Sequence, residues 1–153
     1  MRNKQMSLMD PAEAAVLGQI TVRPIEPAEQ ARWNQLVSQH HYLKNALLVG
    51  EQLRYVVKDA KGTWLALLGW SVAARHLKAR DQSIEWSERQ REGRLHLLAQ
   101  NSRFVILAPR QRFPNLASRA MSLCLQRLSA DWIEENHFNR WRGIRLLMRL
   151  NPI

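Results

Sequence analysis

The sequence predicts a single α/β domain in which helices flank a mixed sheet. Three observations predict this class. The chain has 153 residues, which is enough for one hydrophobic core but not for two. Short apolar runs rich in β-forming residues alternate with stretches whose apolar residues recur at helical spacing. The run 101–118, NSRFVILAPRQRFPNLAS, shows this alternation within one segment. The predicted order is β-α-β-β-α-α-β-α.

The first predicted strand and helix follow a short N-terminal arm. Residues 1–18 are expected to be loose or partly helical. Residues 19–25, QITVRPI, alternate as a strand does. Pro27 suits the first turn of a helix that runs to about His41. The buried stripe of that helix would consist of Trp33, Leu36, Val37 and His40.

A β-hairpin is predicted next. Two β-rich runs, 53–57 and 64–70, are joined by Asp59-Ala60-Lys61-Gly62. Asp at the first turn position and Gly at the fourth fit a type I turn with a bulge. The second run, WLALLGW, is apolar at nearly every position, so we expect a central strand that is covered on both faces.

Two helices should separate the hairpin from the third strand of the run 101–118. The pattern turns helical at 72–78, and 84–86 is either a short edge strand or a loop. Ser87 should cap the second helix, because Gln90 completes a capping-box pattern. Leu95 and Leu98 would be the core contacts of this second helix.

The last predicted strand leads through a cationic loop into the last long helix. The strand spans 103–107, the loop spans 109–114, and Asn115 is a strong N-cap. Ser129 is expected to start a separate short helix that ends at Glu135. The buried face of the long helix would consist of Ala117, Met121, Cys124, Leu125 and Leu128.

The charge indicates an anionic partner such as nucleic acid. The formal net charge is +10. Residues 93–153 contribute +7 of it, from ten arginines and three acids. Arginine suits phosphate because its planar fork donates two parallel hydrogen bonds. The alternative is an arginine-rich protein whose charged faces are simply solvated.

A phosphate site is predicted where the cationic loop opens the last long helix. Helix N-termini attract anions, and the loop adds arginine forks at the same place. The alternative is an ordinary strand–loop–helix connection with solvated arginines. We assign the phosphate contacts to Arg103, Arg110, Arg112, Asn115 and Arg119.

Other chemistry has weaker support, and we assign no metal, no cofactor and no catalytic residue. The neighbouring His40 and His41 point about 100° apart on a helix, so they cannot easily hold one metal. Asp81, Glu85 and Glu51 could be nominated as a carboxylate cluster, but Asp81 equally fits an ion pair with Arg80.

Single aromatic and sulfur side chains are expected mainly in the core. Trp33, Trp64 and Trp70 have apolar surroundings, and Cys124 fits a small buried residue on a helix. Trp86, Trp132 and Trp141 have charged neighbours and are the candidates for stacking on bases or partners, although core or half-buried packing is the favoured prediction for each. No apolar run reaches the ~18 residues of a membrane span. The N-terminus does not read as a secretion signal and a lone Cys124 fits a reducing compartment, so we expect a cytoplasmic protein.

Five segments resemble the DruA-like family, which includes the DruA protein of the Druantia anti-phage system and transposase-associated relatives. The segments are LVGEQLRYVV (48–57), LALLGWSVAA (65–74), ARDQSIEWS (79–87), NSRFVIL (101–107) and PNLAS (114–118). The resemblance implies a role in phage defence or mobile elements, with nucleic acid and proteins of the same system as partners. It places the family's α/β domain at 19–136 and leaves 137–153 as a basic tail.

The resemblance also implies a fold similar to that of GNAT-type acetyltransferases. Their Q/R-x-x-G-x-G/A turn offers backbone N–H groups to the pyrophosphate of coenzyme A. Here the turn would be Arg112 to Ala117, with Asn115 in place of the first Gly and with Pro114 removing one N–H group. The alternative function is therefore an acyltransferase that uses acetyl-CoA.

The segment from Arg140 to Ile153 departs from the pattern of the resembled family. We therefore expect a truncated or frameshifted copy, and a non-functional remnant is a further alternative. The last alternative function is an interaction module whose basic half binds an acidic partner.

Overall fold

The computed structural model describes residues 10–73, 78–95 and 98–135. Four strands form one sheet: β1 (Thr21–Pro24), β2 (Gln52–Lys58), β3 (Trp64–Val72) and β4 (Ala99–Ile106). Five α-helices are present in the described ranges: α1 (Pro11–Leu17), α2 (Gln30–His40), α3 (Lys78–Ile84), α4 (Glu88–Arg94) and α5 (Leu116–Glu135). A 3₁₀ turn, Pro27–Glu29, leads into α2.

The strands lie in the order β1-β2-β3-β4, and every neighbouring pair is antiparallel. The predicted α/β class is confirmed, whereas the predicted mixed sheet is wrong for the strands that the structure describes. β3 is central and buried at eight of its nine positions, as its apolar sequence predicted. The hairpin is also confirmed, since Asp59 Oδ1 accepts from the N–H groups of Lys61 and Thr63 at 2.9 Å each.

Helices cover both faces of the sheet and divide the core in two. On one face α2 packs Trp33 and Val37 against Val56 and Leu67. On the other face α5 and α1 pack against a larger cluster that includes Tyr55, Leu68, Trp70 and Leu128. The tryptophans predicted in the core, Trp33, Trp64 and Trp70, are all buried.

Several boundaries differ from the predictions. α5 is one helix, not two, because Asp131 and Trp132 continue past Ser129 the buried stripe to which Leu128 belongs. The stripe also begins at Leu116 and Ala120 instead of Ala117.

On the first long helix, His40 is exposed and its neighbour His41 is buried. Residues 11–17 of the predicted arm form α1, whose Leu17 lies in the core. Residues 84–86 contain no strand, since α3 runs to Ile84 and Ser87 caps α4 as predicted.

The carboxylate cluster that the sequence could nominate is not formed, because Asp81 is engaged in ion pairs. Asp81 pairs with Arg80 at 2.8 Å and with Arg91 at 3.3 Å. No cluster of three potential metal ligands occurs among the described residues. Within those ranges, no helix combines the length and the apolar character needed to cross a membrane.

Candidate nucleic-acid interface

The candidate interface lies at the end of the sheet where β4 leads into α5. The N–H groups of Leu107 and Ala108 donate to the Leu65 carbonyl at 2.8 and 3.2 Å. These bonds hold the start of the connecting loop beside the first residues of β3. Within the loop, Gln111 has a φ of 64°, a left-handed conformation that turns the chain toward α5.

Three of the five predicted phosphate contacts are exposed at this end of the sheet. Arg110, Arg112 and Arg119 have no ion pair with any described residue. The Arg112 guanidinium lies 5.2 Å from the centre of the Phe113 ring, which supports the side chain without neutralising it. Within the described part of the chain, these three guanidinium groups are therefore exposed and without an anionic partner.

Asn115 has a different role from the predicted one, because both of its donors are bonded inside the protein. Its backbone N–H donates to Glu13 Oε1 at 2.7 Å, and its side-chain Nδ2 donates to Glu13 Oε2 at 3.2 Å. Glu13 is 4% exposed. An internal carboxylate thus lies at the N-terminus of α5, where the sequence predicted an external phosphate.

Arg103 also points away from the predicted site. Its guanidinium donates to three backbone carbonyls, those of Asn45 (2.6 Å), Leu47 (2.9 Å) and Ser102 (2.6 Å). These bonds hold the 41–50 segment against β4. Burial lowers the pKa of His41 in this segment, and the Arg103 charge lowers it further. Arg103 is therefore committed to the fold.

Two basic residues at the same end were missed by sequence reasoning. Lys61 is exposed in the hairpin turn, and Arg32 lies over the Trp64 ring at 4.1 Å from its centre. The turn and Trp64 adjoin Leu65, which the arginine loop contacts. No linear signal marks Arg32 or Lys61, since the packing of α2 over Trp64 places Arg32 and the hairpin places Lys61.

The turn predicted to resemble a coenzyme A site has few free donors. Pro114 has no N–H, and the N–H of Asn115 is taken by Glu13. The N–H groups of Leu116 and Arg119 donate to Phe113 and Asn115 carbonyls at 3.1 and 3.0 Å. The geometry gives little support to pyrophosphate binding at this turn.

The sequence comparison decides the family. Residues 3–149 match the family described as Druantia protein DruA. The chain belongs to the DruA family. The match reaches residue 149 and so includes most of 137–153, the segment predicted to be a non-matching tail; that segment lies outside the described residues.

Other comparisons add little to the DruA assignment. None of the curated proteins matches the chain. The chain is similar to the crystal structure of aminoglycoside antibiotic 6'-N-acetyltransferase AAC(6')-Ih from Acinetobacter baumannii. The match has 9% identity and a TM-score of 0.44, and it covers 88% of this chain and 98% of that one. At this score we draw no conclusion from it.

The remaining candidates of this DruA-family chain are buried or lie outside the described ranges. Trp132 is 2% exposed, so the favoured prediction of core packing is confirmed for it and the alternative of stacking on bases is wrong. Trp86 is half-buried with Arg94 over its ring, and Trp141 lies outside the described residues. Burial raises the pKa of Cys124 to about 12, which makes this thiol a core residue instead of a nucleophile.

Proposed function

We propose that this DruA-family protein takes part in Druantia-type phage defence by binding the phosphate backbone of nucleic acid. Family membership supports the defence role. The observation that carries the binding role is the group of unpaired, exposed guanidiniums of Arg110, Arg112 and Arg119. Arg32 and Lys61 extend this group along the same end of the sheet. We name these five residues the basic end.

The chemistry of the basic end favours backbone contact over base reading. Exposed arginines on a loop and on the first turn of a helix can donate to several phosphates along one strand. The internal carboxylate of Glu13 leaves α5 without a free anion site at its N-terminus. Binding would therefore depend on side-chain charge and on counterion release.

A shift assay with labelled duplex DNA and single-stranded RNA tests the proposal. R110A/R112A should weaken binding of whichever nucleic acid is bound. The matched control is R89A/R94A, which removes two exposed arginines of α4, on the connection between β3 and β4 at the opposite end of the sheet. Equal binding by the two double variants would contradict the proposal.

We also propose that the protein binds a partner protein, either from the same defence system or a transposase. A partner that docks on the basic end would need an acidic surface, and it would compete with nucleic acid for Arg110 and Arg112. If the R110A/R112A variant still pulls down a protein encoded by a neighbouring gene, that partner binds elsewhere on the chain.

A further inference from the structure

A polar cleft of about 210 Å³ lies at the opposite end of α5 from the basic end. It is formed by the connection from β1 to the 3₁₀ turn, by the first residues of β2 and by Glu135 at the end of α5. Ile25 provides an apolar wall, while Glu26, Gln52, Arg54 and Glu135 provide polar groups. α5 has 20 residues, so its own two ends, with Arg119 at one and Glu135 at the other, are about 30 Å apart.

Arg54 in this cleft has no anionic partner among the described residues. Its Nε–H is buried and makes no hydrogen bond. The guanidinium lies 5.2 Å from the centre of the Trp33 ring, and burial lowers the pKa of Arg54. A buried donor without an acceptor costs free energy, so an acceptor on a ligand would be strongly favoured here.

The other polar groups of the cleft require a ligand that also donates. Gln52 Oε1 is buried and has no donor, and Glu26 and Glu135 also line the cleft. The lining contains two glutamates and one arginine, so it is net negative, although neither glutamate forms an ion pair with Arg54. A phosphate would be repelled, whereas an uncharged group with adjacent acceptors and donors would satisfy both sides.

We propose that this cleft binds a guanine base. Guanine presents the O6 and N7 acceptors that arginine contacts. Its N1–H and N2–H₂ donors match the Glu26 carboxylate and Gln52 Oε1. The apolar wall at Ile25 suits the face of a flat ring. The volume is below the ~300 Å³ of pockets for drug-sized ligands, which fits a ligand the size of a base.

The base could belong to a free nucleoside or to an unpaired nucleotide of a strand, and the test separates these sources. Guanosine, inosine and adenosine are titrated into the ¹⁵N-labelled full chain, with the arginine Nε–H signals as the readout. The R54K variant assigns the Arg54 signal by its loss. A guanine-containing single strand is then compared with guanosine.

Guanosine should shift the Arg54 Nε–H signal, inosine should bind more weakly because it lacks N2, and adenosine should bind least. R54K keeps the charge but lacks the fork, so its affinity for guanosine should fall about tenfold. R119K, the matched control at the basic end, should bind guanosine as wild type does. Tighter binding of the strand would assign the site to nucleic acid, and equal binding would assign it to free nucleosides.

Three results would overturn the guanine proposal: no shift with guanosine, equal shifts with adenosine, or unchanged binding by R54K. If R54K fails to fold, E26Q carries the test, because Glu26 is exposed and the amide keeps an oxygen for the capping box of the 3₁₀ turn, while the loss of charge should weaken guanosine binding. Loss of nucleic-acid binding in R110A/R112A with guanosine binding intact would keep the two proposals separate.

Discussion

The carboxylate of Glu13 accepts the backbone N–H of Asn115 at 2.7 Å, and this bond joins α1 to the N-terminus of α5. Glu13 lies 102 positions before Asn115 in the chain. The bond therefore makes the N-terminal helix part of the domain and fills the anion position of α5 with a residue of the same chain.

Substitution E13A should destabilise the protein by about 1–3 kcal/mol, because it leaves a part-buried N–H without an acceptor. The helix would also lose a negative charge at its N-terminus. E92A removes an exposed acid of α4 and should change stability by less than about 0.5 kcal/mol. Urea unfolding midpoints measure both, and an unchanged midpoint in E13A would contradict the role of this bond.

Substitution G69A should destabilise the sheet. A Cβ at Gly69 would lie 3.0 Å from the Trp33 side chain and 3.1 Å from Arg103 Cβ, and such overpacking typically costs about 1–3 kcal/mol. G93A is the control, since a Cβ there has no neighbour within 4 Å and alanine favours the helix by up to about 1 kcal/mol. Thermal unfolding should therefore separate the two variants in opposite directions.

The ion pair of Glu29 with Arg23 predicts a pH dependence. The Arg23 hydrogen bonds, at 2.7 and 2.8 Å, lower the pKa of Glu29 to about 2. Because this pKa is lower in the folded chain, the stabilisation is complete above the ordinary glutamate pKa of about 4.3. It is lost as the pH falls toward 2.

E29Q should remove the stabilisation that the Glu29–Arg23 ion pair provides, so the free energies of unfolding of wild type and E29Q should converge at low pH. Both side chains are partly exposed, which limits the difference at neutral pH to about 1 kcal/mol or less. Unfolding midpoints measured across acidic pH provide the comparison. A constant difference at every pH would rule out the ion pair as its source.

Acetyl-CoA should give no heat on titration with the protein. The turn from Arg112 to Ala117 lacks the N–H of Pro114, and Glu13 holds the N–H of Asn115. Saturable heat that R112A removes would instead support the acyltransferase alternative.

Sequence reasoning predicted the strands and the hairpin well, because apolar period and turn chemistry are local signals. WLALLGW required cover on both faces, and Asp59 with Gly62 specified the turn. Sequence reasoning failed where packing against distant residues decides a helix boundary. Ser129 has a good cap sequence, but Leu128, Asp131 and Trp132 extend the buried face of α5 through it.

The candidate site was only half predictable for the same reason. Arg110, Arg112 and Arg119 are exposed, as residues predicted to contact phosphate must be. Asn115 and Arg103 are not available to a phosphate. Asn115 is bonded to Glu13, and Arg103 is bonded to the carbonyls of Asn45 and Leu47. A single sequence gives no signal for these contacts, because they depend on how α1 and the 41–50 segment pack.

The most direct test of the basic end is the salt dependence of nucleic-acid affinity, measured by fluorescence anisotropy. Wild-type affinity should fall steeply as salt rises, and R110A/R112A should lower the slope of log K against log salt by about 2, or about 1 for each arginine. R89A/R94A should leave the slope unchanged. An affinity independent of salt, or equal slopes for the two double variants, would contradict phosphate binding at this end.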